Sequence, residues 1–117
     1  MTNFKCSTRQ EGPVAVVSAA GEVDLAVVNQ LWDKISAQIC PAAVVVLDCA
    51  DVTFMDSMGL QVLVRARNHA EKQHATFALA AVPKPVSRVL RLVGLDHVFP
   101  QFSDVEAAAI AHSGQMS

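Results

Sequence analysis

A small α/β domain with a mixed, partly parallel sheet is predicted from two features of the chain. Aliphatic stretches of strand length alternate with segments in which apolar residues recur every three or four positions. In addition, residues 42–49 form a nearly continuous aliphatic run without alternation. A strand that is apolar on both faces is covered on both sides, as in a parallel sheet flanked by helices. The 117 residues suit a single domain, assigned to residues 1–112, with a frayed tail at 113–117.

The elements follow in order. The first twenty or so residues read as a β-hairpin, with strands at 4–9 and 14–19 about a turn at Glu11-Gly12-Pro13. Gly21 is expected to end the second strand and Asp24 to cap a first helix. Val28, Leu31, Trp32, Ile35 and Ile39 mark that helix's inner face, and Pro41 closes it. Residues 42–49 form the central strand, with Asp48 at its carboxyl end and Val52-Thr53-Phe54-Met55 as a short connection with apolar anchors.

A second helix, from Leu60 to about Lys72, packs through Leu60, Leu63, Ala66 or Arg67, and Ala70. Residues 76–80 are another buried strand. Pro85 stands near the first position of a third helix, where its missing N–H costs nothing. Val86, Val89, Leu90 and Val93 form that helix's inner stripe, and Gly94-Leu95 fits a Schellman end. Val98-Phe99 is a short last strand. Ser103-Asp104-Val105-Glu106 reads as a capping box, stapled by Phe102 and Ala107, that opens a helix to about His112. The order ββαβαβα(β)α gives four or five strands flanked by four helices.

Composition narrows the function. Nine Lys+Arg against eleven Asp+Glu leave a net charge of −2, unlike the basic footprint of a nucleic-acid binder. The apolar run 42–47, which none exceeds, is far short of the ~20 residues that cross a bilayer. The first residues show no signal pattern, so no membrane partner and a cytoplasmic location are expected. Cys6, Cys40 and Cys49 have neither disulfide-framework nor zinc spacing. Cys40 and Cys49, at opposite ends of the expected strand, would stand about 25–30 Å apart. All three are read as small, mostly buried thiols. No metal or cofactor is implied.

One stretch carries chemistry: Asp56-Ser57-Met58-Gly59-Leu60, between the central strand and the second helix. The first N–H groups of a helix lack intrahelical acceptors, so Ser57 is a natural N-cap. The same N–H groups and the helix dipole favour an anion such as a phosphate. Asp56 adds a carboxylate, and Gly59 keeps a side chain from shielding the turn. Read alone, these residues leave a structural cap and a functional serine both open.

The wider pattern resembles a STAS domain, and within that family a stand-alone bacterial anti-sigma factor antagonist. The resemblance rests on Gly21-Glu22-Val23-Asp24, Val45-Val46-Leu47-Asp48, Val52 through Ser57, Gly59-Leu60, Val86 through Val93, Gly94-Leu95-Asp96 and Phe99. It implies that Ser57 is phosphorylated by an anti-sigma factor that is also a serine kinase. The unmodified antagonist would bind that partner and free a sigma factor, and a serine phosphatase would reset it. Glu22, Asp24, Asp56, Met58, Gly59 and Leu60 form the expected surroundings of the site. Asp24 and Asp56 match the family's flanking acidic positions, whereas Met58 stands where the family commonly has Ser or Thr and so alters the partner-facing surface.

The chain is not expected to be an enzyme. Met55 breaks a G-x-S-x-G elbow at Ser57, and none of His69, His74, His97 or His112 falls in a catalytic pattern. No phosphate loop is present, so ATP chemistry belongs to the partner. A second function remains within the family: a scaffold subunit of a lipid-transport or stress-sensing complex, without a phospho-switch. Trp32 would then be an interface anchor rather than a core residue. No polar constellation in the sequence argues for a small ligand.

Overall fold

The computed structural model describes residues 3–113. Its order is β1 (Lys5–Glu11), β2 (Val14–Val23), α1 (Val28–Gln38), β3 (Val44–Met55), α2 (Ser57–Lys72), β4 (Thr76–Ala80), α3 (Lys84–Leu92), β5 (Gln101–Phe102) and α4 (Val105–Ser113). The sheet follows chain order, β1-β2-β3-β4-β5. Only the β1–β2 hairpin is antiparallel; the other three pairs are parallel.

This order decides where the helices go. Successive crossovers step in one direction, and right-handed connections then place α1, α2 and α3 on one face. Packing follows that rule. One core joins Val17, Val45, Leu47, Phe77 and Leu79 to Leu31, Leu63 and Leu90 of the three helices. The alternate residues Val16, Val46, Ala78 and Ala80 face Val105 and Ala108 of α4. Because the strand order never reverses, the sheet has no topological switch point and so lacks the crevice of a doubly wound fold. Residues at the carboxyl edge of the sheet are instead presented on a surface.

Two strands run further than the sequence suggests. Gly21 does not end β2: at φ +101° it lets the strand pass close under the first residues of the chain. A Cβ there would meet Asn3 O at 3.0 Å and Phe4 Cα at 3.2 Å. β3 does not stop at Cys49 but continues through 52–55, so Asp48 lies within it, paired with Ser18. The pairing slips where Ala20 meets Asp51 and again where Glu22 meets Phe54, each time with one extra residue on β3. Such bulges bend a strand and re-aim the side chains beyond them. The polar residues Asp51 and Thr53 make the segment look like a loop, but β2 offers it backbone partners.

Several ends also differ from expectation. α1 starts at Val28 after a turn, and its N-cap residue Val27 makes no side-chain capping bond. Val98-Phe99 belongs to a turn after α3, and the last strand is Gln101–Phe102, paired with Leu79 and Ala80. Asp104, not Ser103, caps α4, its carboxylate accepting from Ala107 N at 2.7 Å. Val93 is exposed rather than part of the α3 core stripe, where Val86 and Leu90 are buried. The Schellman end is present: Gly94 N donates to Arg91 O and Leu95 N to Leu90 O. Of the three thiols only Cys49 is buried; Cys6 is half-buried and Cys40 exposed. Burial, with the Asp48 charge adding to it, pushes the Cys49 thiol up to about 12, an inert group at neutral pH. Ser113 closes α4, and the rest of the tail assigned to 113–117 lies outside the described residues.

Candidate functional site

The parallel pairing of β2 with β3 brings the two acidic motifs together. Val23 pairs with Met55, and Asp56 N donates to Val23 O at 3.2 Å. The β2–α1 and β3–α2 turns therefore leave the same edge of the sheet side by side. Glu22 is exposed opposite Phe54, and Asp24 is half-buried at the start of its turn. Asp24 does not cap α1 itself. Its carboxylate accepts from Ala26 N at 3.0 Å, and its carbonyl accepts from Val27 and Val28. That is an Asx turn one step before the helix.

At α2 the roles of Asp56 and Ser57 differ from the expected ones. Asp56, in extended conformation, is the N-cap, and its Oδ1 accepts from Met58 N at 2.9 Å and Gly59 N at 3.2 Å. Its carbonyl accepts the first helical bond, from Leu60 N. A carboxylate at this position makes charge-assisted bonds and meets the positive end of the dipole, so it outcompetes a neutral hydroxyl for the same donors. Ser57 is the first helical residue, is exposed, and its hydroxyl makes no hydrogen bond among the described residues. Ser57 is therefore not the cap, and its oxygen is left free at the mouth of the helix.

Gly59 is buried, and its role differs from that of an unshielded turn. A Cβ there would stand 2.5 Å from Met55 Cγ and 2.9 Å from Val23 Cγ1. Glycine lets α2 seat directly on the ends of β2 and β3, which fixes Ser57 relative to both motifs. Leu60 is buried beside it. Met58 is half-buried against the core and lines a hollow of about 320 Å³ between α1 and α2, with Val28 and Trp32 on the opposite wall. It thus faces α1 as much as any partner.

Two residues at this edge escape a reading of the sequence. Leu25, next to Asp24, is 69% exposed, and Phe54, two residues before Asp56, is 50% exposed. Val52 and Met55 are buried anchors as expected, but Phe54 is not. The bulge at 53–54 decides this, and no local pattern announces a bulge. The edge that carries Ser57 thus combines a free hydroxyl, carboxylates and solvent-exposed apolar side chains. Ser57 also stands at one end of a groove of about 780 Å³ along α2. Among the described residues no group of three or more His, Cys, Asp or Glu is placed to hold a metal ion. No helix among them is long and apolar enough to cross a membrane.

Comparisons with known proteins agree with this architecture. The family model described as "Mlab, STAS domain" matches residues 6–102. The chain is 34% identical over 97 residues to the anti-sigma-F factor antagonist RsfB of Mycobacterium tuberculosis, covering 81% of this chain and 78% of that protein. Among solved structures, an anti-sigma factor antagonist from Mycobacterium paratuberculosis superposes with a TM-score of 0.82 at 27% identity, over 93% of each chain. The Bacillus cell fate determinant SpoIIAA in its phosphorylated form gives a TM-score of 0.68 at 21% identity, over 94% of this chain and 98% of that one. The last likeness is one of fold alone.

Proposed function

The chain belongs to the STAS domain family, and on that premise we propose that it is an anti-sigma factor antagonist switched by phosphorylation of Ser57. Unmodified, it binds an anti-sigma factor that is also a serine kinase and so releases a sigma factor. The kinase transfers the γ-phosphoryl group of ATP to Ser57 Oγ, ADP leaves, the hydroxyl proton is lost, and binding ends. A serine phosphatase restores the hydroxyl. The names of the relatives support antagonism, which is a binding role and not catalysis by this chain.

The observation that carries the reading is the division of labour at α2. Asp56 holds the cap, and this leaves the Ser57 oxygen exposed and without a hydrogen bond among the described residues. A serine needed for its cap would be occupied; this one can be modified without loss of the cap. Phosphate adds about −1.5 to −2 charges at neutral pH. The Met58 and Gly59 N–H groups are already taken by the Asp56 carboxylate, so the added charge is directed outward, beside Asp24 and Asp56. Like charge brought into a complementary interface costs several kcal/mol, enough to end binding. Leu25 and Phe54 supply apolar contact area for the unmodified state.

Intact-mass and peptide analysis after incubation with ATP and candidate anti-sigma kinases from the same genome tests the proposal. One phosphate on Ser57, absent in Ser57→Ala, together with partner binding lost on modification, is the expected result. Absence of phosphate with kinases shown to be active would instead favour a scaffold subunit of the family.

A further inference from the structure

The groove that begins at Ser57 follows a complete stripe of α2. Leu60, Val64, Arg65, His69 and Lys72 recur at helical spacing along it, and from Leu60 to Lys72 it spans ~18 Å. Trp32 of α1 forms one wall, and Val93 and Leu95 at the end of α3 form the other. Its volume of about 780 Å³ lies in the range of small-ligand sites, which pair apolar walls with a few convergent polar groups.

The distribution of chemistry along the groove is uneven. Leu60 and Val64 occupy the half nearer Ser57, whereas Arg65, His69 and Lys72 occupy the other half. Among the described residues no acidic side chain lines the groove, although the chain as a whole is acidic. His69 and Lys72 stand in the last turns of α2, where cations also complement the helix dipole. Arg65 lies mid-helix, where the dipole gives no such reason. Its guanidinium carbon is 3.9 Å from the centre of the Trp32 ring, and His69 meets the same ring edge-on at 5.8 Å. The cation–π contact holds the guanidinium over the ring, and none of its N–H groups makes a hydrogen bond among the described residues. Among the described residues Arg65 and Lys72 make no ion pair, whereas neighbouring Arg67 pairs with Glu71 off the groove. Arginine held over an aromatic ring, with donors unpaired among the described residues, suits a carboxylate.

We propose that the groove between α1, α2 and the end of α3 binds a free single-chain amphipathic carboxylate. Its apolar chain lies on Leu60, Val64 and Leu95, and its head group is held by Arg65 and Lys72. This goes beyond the phospho-switch and stands or falls without it.

The chain's single tryptophan, Trp32, reports on the site directly. Calorimetry and Trp32 emission would be followed with the full-length protein and monomeric dodecanoate, with dodecyltrimethylammonium as a probe of the same chain length and opposite charge. Saturable binding of one dodecanoate per chain, with a Kd below about 1 mM, is expected, with none for the ammonium compound. Arg65→Gln combined with Lys72→Gln, at exposed positions that leave the core intact, should weaken dodecanoate roughly tenfold or more in calorimetry, the scale of a charge-assisted hydrogen bond. Equal binding of the two probes, unchanged affinity in the double variant, or binding only to anionic lipid vesicles would each overturn the proposal.

Discussion

The N-termini of α2 and α4 are built from the same two residue types in opposite order. In α2 the dipeptide is Asp56-Ser57 and in α4 it is Ser103-Asp104. In both cases aspartate caps the helix, through Met58 and Gly59 in the first and Ala107 in the second. The order then decides the fate of the serine. Ser57 falls inside the first turn, pointing out from a helix mouth, whereas Ser103 falls before the helix and belongs to the connection from β5. The seats differ as well. Asp56 is half-buried and bonded to Val23, and Gly59 presses α2 onto two strand ends; Asp104 is exposed. A free hydroxyl at a helix mouth is common chemistry. A free hydroxyl at a helix mouth that is seated against two other motifs is what the proposed switch requires.

The seat is the feature that breaks most easily. Gly59→Ala would gain up to about 1 kcal/mol from helix propensity alone. The contacts with Met55 and Val23 reverse that sign, and a net destabilisation of ~1–3 kcal/mol is expected in chemical denaturation. A stabilised variant would show that α2 is not seated as described. The next largest effect is on the caps. Asp56→Ala removes two bonds from a half-buried carboxylate and should cost ~1–2 kcal/mol, against about 0.5–1 kcal/mol for the exposed Asp104→Ala. Equal losses in the two variants would remove the distinction drawn between the two ends.

The same pair of sites shows what is legible in the sequence and what is not. The order of elements is written in the periodicity of the aliphatic residues, and the succession is the expected one except that the last strand is Gln101–Phe102 and not Val98-Phe99. The stretch that carries the site is legible because Asp-Ser-x-Gly-Leu sits between a buried strand and an amphipathic helix. Which residue of that stretch does what is not legible, because serine and aspartate are both good caps. Their competition is settled by charge and by where the helix begins, and the latter depends on how Met55 and Val23 pair. The extension of β3 to Met55 is hidden for a related reason. Polar Asp51 and Thr53 look like a loop until the partner strand is present. The half-exposed Phe54 follows from a bulge in that same pairing, and the α2 groove needs α1 and the end of α3 packed beside α2 before it has walls. Tertiary pairing decides each of these features, and local residue type does not.

The smallest effect on stability makes the sharpest distinction between the two ends. Ser57→Ala and Ser103→Ala both remove an exposed hydroxyl that caps nothing, so each should change stability by no more than about 0.5 kcal/mol. If Ser57 contributed the cap, its loss would instead cost ~1 kcal/mol, while Ser103→Ala would remain silent. Denaturation curves therefore separate a capping serine from a spectator before any partner is in hand. The partner then separates the two spectators. Ser57→Ala should bind the anti-sigma factor and resist phosphorylation, whereas Ser103→Ala should bind and be phosphorylated like the natural chain. Ser57→Asp, equally stable, should lose the partner. Asp56→Ala sharpens the argument further, because the Met58 and Gly59 N–H groups are released in that variant. A phosphate on Ser57 can then take them in place of the carboxylate. Phosphorylation should therefore stabilise the Asp56→Ala protein more than it stabilises the natural one, by the ~1 kcal/mol scale of a restored cap, measured as the difference in unfolding midpoint with and without phosphate. An equal shift in the two proteins would mean that Asp56 never held those amides against the phosphate.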